Sequence, residues 1–149
     1  MQEAMVKSEC DRWRWSKAIT LQILVKQEKV QEAIALYKEA QKLNPNLEIS
    51  ATSWNSLCWN GSLHGHAAEV MDACEKAVAF NPEHGGRRDS RGLARALTGD
   101  TQGAISDFQA FVDWTDDDEQ RLQRQRWIDA LRAGKNPFTE EEIKSLLEE

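Results

Sequence analysis

Residues 65–82 read GHAAEVMDACEKAVAFNP. The segment opens on a turn-like Gly-His pair, continues with apolar residues at helical spacing and closes on Asn-Pro. Two other stretches align with it: EKVQEAIALYKEAQKLNP at 28–45 and GDTQGAISDFQAFVDWTD at 99–116. Gly65 and Gly99 are 34 residues apart, and Pro45 and Pro82 are 37 apart, so three extra residues fall between the first two units. The loop NLEISA, 46–51, is the place for them, because lengthening a surface loop costs little. A fixed period of this size predicts stacked helical units.

Composition agrees with that reading. Pro is scarce at 3 residues and Gly modest at 8, which leaves little room for many β-turns. The good helix formers Ala, Leu, Glu, Gln, Lys and Arg dominate. A net charge of −6 argues against generic binding to a nucleic-acid backbone, which needs a surplus of Lys and Arg. No apolar run approaches a membrane span, and the opening MQEAMVKSECDRWRW has no apolar signal-peptide core. Cys10, Cys58 and Cys74 form an odd set without framework spacing. That predicts free thiols in a reducing, cytoplasmic compartment.

The repeat resembles the tetratricopeptide family, whose units follow W-x2-L-G-x2-Y, then A-x3-F, then P. In the middle unit Trp54, Leu57, Ala77 and Pro82 match. Cys58 takes the Gly place, Gly61 the Tyr place, Val70 the Ala place and Cys74 the aromatic place. In the first unit Ala33, Tyr37, Ala40 and Pro45 match, whereas Lys17 and Thr20 stand where Trp and Leu belong. In the third, Gly92, Ala104 and Phe108 match, while Arg88, Arg91, Arg95, Phe111 and Asp116 depart. The resemblance implies an all-α, right-handed superhelical solenoid of antiparallel helix pairs. Its units would span about 14–47, 51–84 and 85–118 of a single domain, 1–149. The stretches RDSRGLARALTGDTQGAISDFQAFVDW and QRQRWIDALRAGKNPFT also look like the tetratricopeptide tails of large bacterial WD-repeat or ATPase proteins.

A capping helix is expected over about 117–133 in DDDEQRLQRQRWIDALRAG, to cover the last unit's outer face. Asp116, Asp117 and Asp118 suit its start, Leu122, Trp127, Ile128 and Leu131 give it an apolar side, and Gly134 stops it. A terminal helix is expected over about 139–148. Thr139 and Glu142 have capping-box spacing there, and Ile143, Leu146 and Leu147 form a stripe. So short a helix must dock, and the expected place is along the capping helix near Trp127 and Leu131, with docking across a dimer interface as the alternative.

His64, His66 and His84 with Cys58 and Cys74 raise the question of a metal. The two cysteines fall inside the two helices of the middle unit, at a close-approach position and an inward position. Packing explains them as small hydrophobes, and no C-x2-C or H-E-x-x-H is present. Nucleotide-binding glycine loops and G-x-S-x-G are likewise missing. The expectation is no catalysis, no metal and no cofactor.

Binding surfaces remain. The resemblance places Trp15, Ala18, Gln22 and Val25, then Thr52, Asn55, Trp59 and Ser62, then Gly86, Asp89, Leu93 and Ala96 along a groove. The Lys/Asn/Arg clamp by which some relatives grip a chaperone's terminal carboxylate is replaced here by Ala18, Gln22, Ser56, Gly86 and Ser90. Trp15 and Trp59 suit a binding hot spot, or ordinary core. Arg88, Arg91 and Arg95, at i, i+3 and i+7, form one stripe, to meet an acidic partner or to be laced by neighbouring carboxylates. The chain is therefore expected to bind a protein or peptide partner, with a self-association module forming a homodimer as the alternative. Neither nucleic acid nor membrane is an expected partner.

Overall fold

In the computed structural model, residues 29–46 and 48–149 are described. They form seven helices and no strand: α1 (Val30–Leu43), α2 (Ala51–Leu63), α3 (Ala67–Phe80), α4 (Gly85–Leu97), α5 (Thr101–Trp114), α6 (Asp118–Arg132) and α7 (Glu140–Glu148). The first unit's leading helix, with Trp15 and Gln22, lies outside the described residues, as does Cys10.

Local chemistry starts several of the helices. Side chains of Ser50, Asp100, Asp117 and Thr139 accept the backbone N–H groups of Ser53, Gly103, Gln120 and Glu142, at 3.0–3.2 Å. These bonds satisfy donors that have no partner inside the helix. The stops are periodic. Gly65, Gly99 and Gly134 all have positive φ, at 85°, 93° and 71°. In each case the next residue's N–H reaches back five residues, to Gly61, Arg95 and Ala130 respectively. The same left-handed stop thus closes α2, α4 and α6.

Helices α2 and α3 pack together closely, as do α4 and α5, and α3 and α2 also adjoin α4, as fits a helical repeat. Close approach of α2 and α3 rests on Gly61, where a Cβ would lie 2.4 Å from Val70 Cγ1. One buried cluster joins α1, α2 and α3 around Tyr37 and Trp54, whose rings stack at 4.8 Å. A second holds Leu63, Leu93, Phe108, Trp127, Ile128, Phe138 and Leu146. Helix α4 contributes Ala94 to the first and Leu93 to the second, linking them.

Two expectations are corrected here. Cys58 and Cys74 are not free thiols but a disulfide with Cα atoms 4.9 Å apart, joining α2 to α3 inside the core. The close-approach position and the inward position face each other, so two cysteines there meet. Free thiols therefore no longer support a reducing compartment. Leu122 is 62% exposed and does not belong to the apolar side of α6; Arg124 is buried there instead. No helix among the described residues is long and apolar enough to cross a membrane.

Candidate functional site, the shared face of α2, α4 and α6

Helices α2, α4 and α6 border a cleft of about 310 Å³. Helix α2 supplies Asn55, Ser56, Trp59 and Asn60. Asp89 and Ser90 come from α4, Phe111 from α5, and Gln120 and Arg124 from α6. Glu149, just past α7, closes one side. The cleft therefore collects three of the groove residues expected from sequence: Asn55, Trp59 and Asp89.

Its floor is a buried ion pair. Arg124 Nη2 donates to Asp89 Oδ2 at 2.8 Å and Nε donates to Oδ1 at 3.1 Å, with both side chains almost fully buried. The guanidinium carbon lies 4.6 Å from the Trp127 ring centroid, 5.0 Å from Phe111 and 5.8 Å from Trp59. Such aromatic faces suit a cation held out of water. Burial pushes the Asp89 carboxyl above its ordinary range, opposed by the hydrogen bond and charge of Arg124 and reinforced by Asp107 and Glu149. Asp89 is thus committed to Arg124 and is not an open acceptor. Beside the pair, Asn55 Oδ1 is buried and has no hydrogen-bond partner among the described residues.

Leu93 is corrected: it is fully buried in the second core cluster and lines no groove. The physical reason is that α6 and the chain's own C-terminal segment, through Trp127, Ile128, Phe138 and Leu146, complete the core around it. Trp59 and Asn55 remain half-buried and accessible from the cleft.

The arginine stripe is internally engaged. All three guanidiniums converge on Asp107 of α5, which is fully buried. Arg88 Nε and Arg91 Nη2 donate to Oδ1 at 3.1 and 2.8 Å, and Arg91 Nε and Arg95 Nη1 donate to Oδ2 at 2.8 and 3.0 Å. Arg91 and Arg95 also reach Glu75 of α3. A buried carboxylate needs such partners. Arg88, Arg91 and Arg95 therefore tie α4 to its neighbours, and the sequence alternative of carboxylate lacing describes them.

The histidines are placed apart. His64 Nδ1 meets the Asn60 carbonyl at 2.7 Å, His66 Nδ1 meets Glu69 Oε1 at 3.1 Å, and His84 Nδ1 accepts from Arg87 N–H. Among the described residues no group of three or more His, Cys, Asp or Glu is arranged to hold a metal.

Sequence reasoning takes Arg124 only as one of the basic residues Arg121, Arg124, Arg126 and Arg132 of the capping helix, a surface for an acidic partner or a solvated face, and does not single out Phe111 or Gln120 for this cleft. The signal was present. Arg124 stands three, four and seven residues before Trp127, Ile128 and Leu131, on the inward stripe of α6. In comparisons with known proteins, no family model, no curated protein and no solved structure matches this chain.

Proposed function

We propose that this chain is a tetratricopeptide-like interaction module, a right-handed superhelical stack of antiparallel helix pairs that binds a partner peptide or helix and catalyses nothing. The observation that carries this reading is the cleft on the shared face of α2, α4 and α6. It combines an accessible indole, Trp59, with the amide of Asn55 over a rigid Asp89–Arg124 floor. An aromatic anchor beside a few placed polar groups suits a peptide-binding hot spot. The internal use of Arg88, Arg91 and Arg95 favours the cleft over the stripe as the working surface.

The test is a photo-crosslinking side chain at Gln120, an exposed residue on the cleft rim, with exposed Lys38 on α1 as control. In the source cell, a covalent adduct to another protein from position 120 and none from 38 is expected. Adducts from neither position would sink the reading. Adducts to a second copy of this chain would favour self-association instead.

A further inference from the structure

Helix α7 lies on the same face as the cleft. The stops at Gly65, Gly99 and Gly134 recur at 34 and 35 residues, so α6 and α7 hold the places of a further helix pair. The backbone of α7 adjoins α2, while its segment also meets Trp127 and Gln123 of α6. Ile143, early in α7, shares a cleft of about 480 Å³ with Leu63 and Leu97, the last residues of α2 and α4, and with Ala67, the first of α3. Glu149, just past α7, reaches Asn55, Ser56 and Asp89, towards the N-terminal halves of α2 and α4. Helix α7 therefore runs along α2 in the opposite direction, with one cleft at each of its ends.

The seating is that of an amphipathic helix in a groove. Phe138 and Leu146 are buried, and the Phe138 ring meets Trp127 edge to face at 4.9 Å. Glu142 Oε1 accepts from the Trp127 indole N–H at 2.9 Å and from Gln123 Nε2 at 3.2 Å. The capping-box carboxylate is thereby turned towards α6 as a latch. The remaining surface of α7 is acidic, with Glu140, Glu141 and Glu148 against Lys144. A helix of nine residues is marginal alone, so its order comes from this docking. Residues 133–139, between α6 and α7, are not helical, and most are exposed. Seven such residues span up to about 23 Å, enough for α7 to leave the face while still attached.

Resting on the module reading, we propose that α7 is a built-in occupant of the interaction face, and that the partner is a short acidic amphipathic helix that replaces it. The partner helix supplies an aromatic residue in place of Phe138, a carboxylate for Trp127 and Gln123 in place of Glu142, and aliphatic side chains in place of Ile143 and Leu146.

A fluorescent peptide with the sequence of residues 136–149 probes this on the full chain. Attachment gives α7 a local concentration in the millimolar range, so wild-type protein should bind the free peptide weakly. Leu146→Lys, which unseats α7, should bind it about 10-fold or more tighter, because the binding-competent fraction rises. Equal affinity in both proteins, or no binding to a folded Leu146→Lys, overturns the proposal. If that variant fails to fold, hydrogen exchange in the wild type decides. Amides of α7 exchanging about 100-fold or more faster than those of α4 support local release. Exchange of α7 only at the rate of α4 overturns it. Peptide exchange that fails while Gln120 still crosslinks a partner leaves the module reading standing with a permanently seated α7. Peptide exchange that succeeds without any crosslinked partner removes the partner reading alone.

Discussion

Arg124 and Asp89, 35 residues apart, form a doubly hydrogen-bonded ion pair buried between α6 and α4. Breaking such a pair leaves one buried charge without compensation. Arg124→Met should therefore destabilise the fold by about 3–5 kcal/mol near neutral pH. The sign of its pH dependence follows from Asp89, whose carboxyl burial already pushes upward. Without Arg124 the folded state holds a proton that the unfolded chain releases. The variant should then be most stable below the ordinary carboxylate range of about 4 and lose stability as pH rises through the raised folded value. Urea midpoints across pH check this, and a pH-independent deficit would count against it. Adding Asp89→Asn should restore part of the loss at neutral pH.

Gly61 and Val70 form a complementary pair, with no room for a methyl group between α2 and α3. Gly61→Ala should cost about 1–3 kcal/mol through overpacking. Adding Val70→Ala should recover part of that loss, a coupling of about 0.5–3 kcal/mol in a double-mutant cycle. Strict additivity in denaturant unfolding would show that the two helices do not meet there.

The Cys58–Cys74 bond can be counted. The sequence has three cysteines, so in denaturant the chain should show one thiol before reduction and three after it. Closing a loop of this size constrains the unfolded chain, and reduction should lower stability by about 3 kcal/mol. Three thiols in protein purified without reductant would contradict the bond.

Tyr37 is the chain's single tyrosine, and burial raises its hydroxyl to about 12. Phenolate absorbance should appear near that pH and not near 10. Since the folded value lies above the unfolded one, its contribution to stability is intact below about 10 and fades as pH rises through about 12. Ionisation near 10 in folded protein would place Tyr37 in solvent.

The second helices of the units were the most legible elements. In 65–82 the apolar spacing, the flanking Gly and the closing Asn-Pro are all local properties, and a helix is mostly local hydrogen bonding. Asn55 and Trp59 are placed along the groove by the family resemblance, and one helix, α2, carries both to the cleft. The same resemblance misses the burial of Leu93, since its cover comes from α6 and from Phe138 and Leu146, tens of residues away. Arg124 looked like one of several surface cations, because a charged residue on an apolar stripe shows its purpose only beside its partner. Asp107 was equally silent: one aspartate on α5 does not announce three arginines.

The sequence by itself determined where helices begin and stop, through Ser50, Asp100, Asp117 and Thr139 at their starts and Gly65, Gly99 and Gly134 at their ends. It also determined the period that lets them stack, since caps and left-handed stops act within a few residues. Only the tertiary structure decided that Cys58 meets Cys74, that three arginines close on Asp107, that Arg124 lies beneath the cleft, and that α7 returns to α2. Each of these depends on side chains far apart in sequence being desolvated together, and local spacing carries no record of that cost.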